Sequence, residues 1–291
     1  MSNIIATIFV FLQRILPKSL ITAAVYRIAR IQSCVIKDFL IRNFVRLYKV
    51  DLDEVKLSVP DDFASFNAFF IRELAEGSRQ VASAHDAIVS PVDGTVSAAG
   101  RIENDSLVQA KGIHYSLADF LAIETHIAKD FSGGEFATIY LAPYNYHRVH
   151  APLAGRLQSM HYVPGKLFSV NAATVARLPG LFLQNERLVC HIDTSSGPAI
   201  LVFVGAMNVG SISTPWTDEI RPKKSGIVES IDLAASPLSR SFKKGDPLGW
   251  FNMGSTVVLL FPPGKSEGLK DLAHGQLVSV GQQIGAVISA Q

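Results

Sequence analysis

The sequence predicts an α+β fold in which N-terminal amphipathic helices are followed by a β-rich, barrel-sandwich-like body. Polar residues recur at helical spacing over residues 35–49, whereas short apolar runs separated by Gly, Pro and Asp turns follow one another from residue 77 onward. With 291 residues, 48% hydrophobic and 18% charged, the chain can bury one or two cores. We therefore expect a helical segment, residues 1–76, and a β-rich domain, residues 77–291.

The N-terminal segment favours four helices. Pro17 separates two short helical stretches, a third helix is expected over about residues 32–49, and Ser65 is a suitable N-cap for a fourth over residues 65–74. The third helix is amphipathic, with one charged side and one mainly apolar side: Asp38, Arg42, Arg46 and Lys49 against Ile36, Phe39, Leu40, Phe44 and Leu47.

The β-rich domain contains six clear strand patterns and one helix. The helix is expected over residues 116–129, with Ser116 as its cap. A turn-then-strand pattern occurs at residues 91–96 and again at 152–157, as in the β corners of compact barrel-sandwich folds. The strand patterns cover residues 87–98, 136–141, 188–192, 200–204, 226–233 and 256–261.

Positive charge is concentrated at the N-terminus. Residues 1–50 carry eight basic side chains and one acidic one, Asp38, a net charge of +7, while the remainder has 19 basic and 24 acidic groups, a net charge of −5. Such asymmetry indicates an anionic surface, either lipid headgroups or nucleic acid. The apolar content of the same segment favours lipid over nucleic acid.

The apolar run over residues 4–12 is too short to span a bilayer, which takes about 20 residues. Basic residues follow this run instead of preceding it, unlike a secretory signal, so we expect the segment to be retained and to lie on the membrane surface. The alternative is that the amphipathic helix packs on its own domain and leaves a solvated basic face. Two cysteines without a CxxC pattern favour a reducing compartment.

Three sites in the β-rich domain carry side chains suited to chemistry. The stretch YHRVH places His147 and His150 three residues apart after a predicted strand, and histidine is suited to proton transfer near neutral pH. Zinc would suit two imidazoles, but neither HExxH nor a nearby cysteine completes a site, so no metal is expected. Asp93 lies on a β corner and Ser255 follows Gly254. The combination of aspartate, histidine and serine would allow a histidine, oriented by a carboxylate, to activate a serine hydroxyl.

These residues lie in motifs that resemble the phosphatidylserine decarboxylase family over about residues 10–265. One departure is MGST in place of the LGST usual in bacterial members, which keeps side-chain volume and apolarity. The motifs are FNAFFIREL at 66–74, PVDG at 91–94, QAKG and HYSL within 109–117, YHRVHAP at 146–152, YVPGKLFSVN at 162–171, NER at 185–187 and MGST at 253–256.

The resemblance implies a proenzyme that cuts itself between Gly254 and Ser255. Ser255 would attack the Gly254 carbonyl while His150, held by Asp93, takes the hydroxyl proton, and β-elimination would then leave a covalent pyruvoyl group derived from Ser255. This group, a form of pyruvate, would serve as cofactor and Schiff-base site. The products would be a large chain, residues 1–254, and a small chain, residues 255–291, that remain together; a higher oligomer is left open.

The implied activity is the decarboxylation of phosphatidylserine to phosphatidylethanolamine. By resemblance, His147 positions the substrate and donates a proton. The lipid phosphate needs donors, and we expect Ser169, Val170 and Asn171 to bind it through hydroxyl and backbone N–H groups. The implied location is the cytoplasmic face of a bacterial cell membrane, with peripheral attachment to its anionic surface. Two alternatives stay open: an Asp93–His150–Ser255 hydrolase that acts on lipid or peptide without self-cleavage, and a non-catalytic membrane-binding β module.

Overall fold

The fold is given by a computed structural model that describes residues 3–110, 113–207, 211–223 and 225–288. Eight α-helices occur in these ranges: α1 (Asn3–Ile15), α2 (Lys18–Ala29), α3 (Cys34–Tyr48), α4 (Phe66–Phe70), α5 (Leu117–Leu121), α6 (Thr125–Lys129), α7 (Ala172–Val175) and α8 (Leu181–Gln184). Lys111 and Gly112 of the QAKG motif lie outside the described residues.

The body is built from short antiparallel strands, as expected for an α+β protein. They are β1 (Ala87–Val89), β2 (Gly94–Arg101), β3 (Ser106–Ala110), β4 (Ile113–Ser116), β5 (Glu135–Leu141), β6 (Arg148–His150), β7 (Gly155–Val163), β8 (Arg187–Thr194), β9 (Gly197–Val204), β10 (Ile212–Thr214), β11 (Thr217–Ile220), β12 (Glu229–Ser230), β13 (Ser241–Phe242), β14 (Pro247–Phe251), β15 (Ser255–Phe261), β16 (Ser266–Glu267), β17 (Leu277–Val278) and β18 (Gln283–Val287).

One large sheet dominates the body. Its strand order is β12-β7-β8-β9-β15-β5-β2-β17, and β13 also pairs with β7. A four-stranded sheet, β11-β10-β14-β6, a three-stranded sheet, β1-β18-β16, and the hairpin β3-β4 complete the described strands. The α+β class is confirmed. Over the described ranges the sheets are open and none closes into a barrel.

The central strands of the large sheet are continuous apolar runs. β15 is buried at all seven positions and pairs with β5 on one side and β9 on the other. A strand that is covered on both faces needs apolar residues throughout instead of an alternating pattern. This explains why the strands expected at 136–141, 200–204 and 256–261 are found within three residues of their predicted ends.

Three sequence expectations need correction. The stretch 87–98 is two strands, because the PVDG turn interrupts it. The helix expected over 116–129 is two helices, since Ala122 adopts a left-handed conformation (φ 52°) that ends α5; Ser116 does cap α5 through the Asp119 N–H. The strand expected over 226–233 shrinks to Glu229–Ser230, because Ile227 is 67% exposed and no neighbouring strand pairs with its flank along this part of the described chain.

A second, smaller core lies under the N-terminal helices. It contains Ile41 of α3 and a group of phenylalanines, with Phe44, Val45 and Met253 packed against it. Ser65 caps α4 by accepting the Ala68 N–H, as expected. The buried phenylalanines of this cluster, which we call the Phe cluster, are Phe63, Phe66, Phe69 and Phe70.

Helix α3 both packs on the body and presents an apolar surface. Phe44 and Leu40 contact the Phe cluster, whereas Val35, Phe39 and Leu47 are 80%, 64% and 73% exposed. The two interpretations of this helix are therefore combined: one side belongs to the core and another stays uncovered. Within the described chain no single helix is long and apolar enough to cross a membrane; α1 and α2 together meet the length, but they meet at an 89° bend.

Replacing Phe69 by Ala is expected to lower the free energy of unfolding by about 3–5 kcal/mol, because Phe69 is fully buried among aromatic rings. Urea denaturation measures this. Phe39→Ala on the exposed side of α3 is the matched control, with an expected change within about 0.5 kcal/mol. Equal losses in the two variants would contradict the assignment of the Phe cluster as a core.

Candidate active site

Ser255 is the first residue of β15 and is fully buried. Its Oγ has no hydrogen-bond partner among the described residues. Gly254 precedes it, and a Cβ built on Gly254 would meet no atom within 4 Å, so the space on the side-chain side of its Cα is open. A buried hydroxyl without a partner is costly and uncommon, which makes it a candidate for chemistry.

The residues just before the Gly254–Ser255 bond are held from two sides. The side chain of Asn252 donates to the hydroxyls of Ser211 (2.9 Å) and Ser213 (3.1 Å) and accepts from Asn67 (3.0 Å) of α4. Met253 packs against the Phe cluster and has φ 114°, a region that L side chains rarely adopt. Such backbone strain costs about 1–3 kcal/mol and persists only where its surroundings enforce it.

His150 has its two ring nitrogens bonded. Nδ1 lies 2.7 Å from the Gly245 carbonyl oxygen, so this nitrogen carries the proton and donates it, and Nε2 accepts from the Tyr146 hydroxyl at 3.0 Å. Burial lowers the pKa of His150, the neighbouring backbone carbonyl opposes this, and the neutral form with a bare Nε2 is favoured. That is the protonation state a general base requires.

Asp93 does not contact His150 directly, which differs from the expected arrangement. Both of its oxygens bind Arg79, at 3.0 and 2.5 Å, and Oδ1 also accepts the Val280 N–H at 2.8 Å. The guanidinium fork of Arg79 matches a carboxylate with two parallel bonds, a geometry that an imidazole cannot offer. The negative charge of Asp93 still raises the pKa of His150 at a distance. The backbone N–H of His150 donates to the Pro91 carbonyl, two residues before Asp93.

His147 is linked through its backbone to the strand that precedes the Gly254–Ser255 bond, and its ring is in the form that accepts a proton. Its carbonyl receives the Phe251 N–H, four residues before Ser255, and its ring lies 4.2 Å from that of Phe70. Nδ1 donates to the Asn145 carbonyl at 2.8 Å, which leaves Nε2 bare and unpartnered among the described atoms. Burial lowers the pKa of His147 to about 3, so the ring is neutral and does not match the expected proton donor.

The turn expected to bind phosphate is occupied by side chains of the chain itself. The Ser169 N–H donates to Oε1 of Gln13 from α1 at 2.8 Å, and Oδ1 of Asn171 caps α7 through the Thr174 N–H. Val170 is buried in the main core. Asn185 links this turn to the end of β9, because its side chain bonds both the Phe168 backbone and the carbonyl of Gly205.

Several site residues were not singled out from the sequence. Arg79 lies in a turn without any marked pattern, and its contact with Asp93, like that of the Gly245 carbonyl with His150, joins residues far apart in the sequence. Arg72 and Glu186 were signalled by the FNAFFIREL and NER motifs, without a role. Arg72 is buried, donates to the Tyr144 carbonyl, and keeps Nε and Nη1 free of partners in the described part of the chain.

Comparison with known proteins identifies the family. The phosphatidylserine decarboxylase family model matches residues 66–286, and a second model, described as PSD, matches residues 8–49. The chain is 43% identical to the phosphatidylserine decarboxylase proenzyme of Methylococcus capsulatus over 279 residues, which cover 96% of each chain. It is 42% identical to that of Nitrosococcus oceani (96% of this chain, 90% of the relative) and 44% identical to that of Delftia acidovorans (94% and 95%).

The fold, the buried Gly-Ser junction and these matches define a lyase of the decarboxylating class. More particularly, the chain belongs to the phosphatidylserine decarboxylase family. The expectations of family and enzyme class are confirmed. No cluster of three or more His, Cys, Asp or Glu side chains suited to a metal ion occurs among the residues the structure describes.

Replacing Arg79 by Ala is expected to lower the free energy of unfolding by about 3 kcal/mol, because it leaves the carboxylate of Asp93, 9% exposed, without its charged partner. Urea denaturation is the measurement. Lys56→Ala is the control, since it removes an exposed ion pair with Glu73 that contributes about 0–1 kcal/mol. A cost at Arg79 no larger than that at Lys56 would contradict a structural role for this pair.

Proposed function

We propose that this chain decarboxylates phosphatidylserine to phosphatidylethanolamine with a pyruvoyl group that it makes from Ser255. The observation that carries the proposal is the junction itself: a fully buried serine hydroxyl without a described partner, behind a glycine and a strained Met253. The family and the proenzyme names of the relatives agree with it. The residues present fit a pyruvoyl group, because the carbon atoms of that group would all come from Ser255 itself.

In the proposed self-cleavage, Ser255 Oγ attacks the carbonyl carbon of Gly254 and its proton passes to Nε2 of His150. The C–N bond breaks, the Ser255 nitrogen gains a proton, and an ester joins the two residues. Loss of the Cα proton then breaks the Cβ–Oγ bond, so Gly254 leaves as a carboxylate. Water replaces the resulting enamine nitrogen, which departs as ammonia. Before the first step, the bond from Tyr146 to His150 must be exchanged for one from Ser255.

The strand geometry favours retention of both products. β15 is held by seven paired residues on the β5 side and five on the β9 side. A small chain that begins at Ser255 therefore starts inside the central sheet and remains paired with the large chain after the cut. The backbone N–H of Asn252 and its side chain hold the new end of the large chain near Ser211.

A pyruvoyl group supplies a carbonyl that binds the headgroup amine and accepts the electron pair left when CO₂ departs. The surrounding residues bind and orient the lipid. His147 offers a bare Nε2 as an acceptor, and Arg72 offers two N–H groups without described partners as donors. We assign the phosphate to the turn at Ser169, Val170 and Asn171; Gln13 occupies the Ser169 N–H in this structure and must give way to the phosphate.

We also propose that α1, α2 and α3 dock the enzyme on the cytoplasmic face of a bacterial cell membrane. Large apolar side chains stay exposed on all three helices and are accompanied by the basic residues of a segment with a net charge of +7. Apolar side chains insert into the interface while basic ones bind anionic headgroups. The most exposed apolar side chains are Phe11, Ile15, Leu20, Val35, Phe39 and Leu47.

Purified protein is expected to yield two chains, residues 1–254 and 255–291, in intact-mass spectrometry, with the smaller one blocked by a pyruvoyl group. Ser255→Ala should remain a single chain without decarboxylase activity. Ser266→Ala is the matched control, because Ser266 Oγ is also buried without a described partner, and this variant should mature normally. A single full-length chain that still converts its lipid would support the hydrolase alternative and contradict self-cleavage.

The variant Phe39→Ser/Leu47→Ser is expected to bind vesicles of phosphatidylglycerol and phosphatidylethanolamine at least about tenfold more weakly, because each buried apolar side chain contributes about 1.5–3 kcal/mol. Vesicle sedimentation measures the binding. Leu277→Ser is the control, since Leu277 is as exposed as Leu47 (both 73%) but lies on β17 of the body. Unchanged binding of the double variant would exclude α3 from the docking surface.

A further inference from the structure

A carboxyl group faces Ser255 across one strand of the large sheet. The register pairs Thr256 with Val204, so the next position along β15 and β9 brings Ser255 opposite Gly205. On the other side of Gly205 the ladder continues, because its N–H donates to the carbonyl of Glu186 at 2.9 Å. Glu186, Gly205 and Ser255 thus form a row across three neighbouring strands. Residues directly opposite one another in antiparallel strands direct their side chains to the same face.

Because Gly205 has no side chain, the side chain of Glu186 can occupy the space above it. A Cβ on Gly205 would lie 2.7 Å from Cγ and 2.8 Å from Oε1 of Glu186, so the Glu186 side chain extends over the glycine. Two strand spacings, about 10 Å, separate the backbones of Glu186 and Ser255. The side chain of Glu186 covers the strand between them, with its Oε1 over Gly205.

The two oxygens of Glu186 have different surroundings. Oε2 accepts from the Tyr162 hydroxyl at 2.7 Å, whereas Oε1 has no described partner, although Glu186 is only 1% exposed. Ser255 Oγ, in the same row, is also without a described partner. Burial raises the pKa of Glu186 to about 7, and the bond from Tyr162 opposes this only in part. A substantial fraction of this carboxyl therefore carries a proton at neutral pH.

Decarboxylation needs such a proton. When the bond between the α-carbon and CO₂ breaks, its electron pair remains with the organic part, and the α-carbon must later form a new bond to hydrogen. His147 is poorly suited as the source, because its single N–H is engaged by the Asn145 carbonyl and its other nitrogen is bare. An acid is needed that faces position 255 and is protonated near pH 7.

We propose that Glu186 is the general acid that delivers the proton from Oε1 to the α-carbon of the serine headgroup after CO₂ has left. This inference rests on the proposed function. In this step the O–H bond of Glu186 breaks, a C–H bond forms at the α-carbon, and the carboxylate that remains takes up one proton from solvent. The net reaction consumes one proton and releases one CO₂ for each headgroup.

Tyr162 lies between Glu186 and a groove of about 1370 Å³ that is formed by α2 and the segment 215–237. Tyr162 lines this groove although it is only 1% exposed, and its hydroxyl accepts the backbone N–H of Lys223 at 3.3 Å. The charged groups near Glu186 bind other partners: the Arg187 guanidinium donates to backbone carbonyls of α5, and the Lys223 ammonium pairs with Glu229. The ammonium of Lys166, whose backbone pairs with that of Glu186, lies over Phe168. Tyr162 is thus the titratable group that contacts the carboxyl from the described elements.

The first test is Glu186→Gln, which keeps the shape of the side chain but cannot supply the proton. We expect it to mature into two chains and to bind vesicles normally, and to decarboxylate at least about 100-fold more slowly. Glu76→Gln, at an exposed position, is the matched control. In the matured wild-type enzyme, infrared spectroscopy should show a protonated carboxyl band that titrates near pH 7 and is absent from Glu186→Gln. A fully matured Glu186→Gln enzyme that works at the wild-type rate would overturn the inference.

The second test is Tyr162→Phe, which stays informative if Glu186→Gln does not mature. Loss of the donated hydrogen bond destabilises the carboxylate and raises the pKa of Glu186, so the infrared titration and the alkaline limb of kcat should both move to higher pH. A general acid loses its proton as the pH rises through its pKa, so kcat falls there. In the wild-type enzyme this fall in kcat is expected near pH 7. If Tyr162→Phe changes neither the infrared titration nor the alkaline limb of kcat, the proposed role of Glu186 is overturned. If wild-type protein itself forms no pyruvoyl group, the proposed function fails instead.

Discussion

The position of β15 constrains the whole molecule. This strand is buried along its full length between β5 and β9, and the proposed cleavage junction, Gly254–Ser255, lies at its first residue. The chemistry proposed for Ser255 would therefore take place at the edge of the main core, where water is excluded and unpaired polar groups are costly. The same pairing that buries Ser255 also keeps residues 255–291 attached, so a cut before Ser255 removes one covalent bond without removing a strand from the sheet.

A chain of polar contacts links the exposed helices to this junction. Arg30 and Tyr26 of α2 bind Glu219, which also accepts from the hydroxyl of Ser211. Ser211 in turn holds Asn252, two residues before Gly254. From the other side, Met253 packs on the Phe cluster beneath α3. The helices proposed to dock on the membrane and the proposed cleavage junction are therefore supported by the same residues.

The parts of the fold that depend on local pattern were predictable. α3 begins and ends within two residues of the expected 32–49, and the Ser65 cap is formed, although the helix that it begins ends at Phe70 instead of Leu74. The central strands were found because burial on both faces leaves an unbroken apolar run. The strand expected over 226–233 was wrong over most of its length, because Val228 and its neighbour Ile227 are β-branched but exposed, and a propensity without a partner strand does not make a sheet.

The parts of the site that depend on register and charge competition were not predictable. Asp93 was expected to hold His150, but whether a carboxylate binds an imidazole or a guanidinium depends on which of them the fold brings into contact with it, and here Arg79 binds Asp93. The row of Glu186, Gly205 and Ser255 joins residues up to 69 positions apart, which no local spacing reveals.

Burial assigns the proton chemistry of this site. The same loss of water that lowers the pKa of His147 to about 3 raises that of Glu186 to about 7, because in each case the charged form is the one disfavoured. The imidazoles thereby become neutral acceptors and the carboxyl becomes a donor, the reverse of their usual roles at neutral pH. Burial alone can thus supply both a proton acceptor and a proton donor for the proposed reactions, one on the imidazoles and the other on the carboxyl of Glu186.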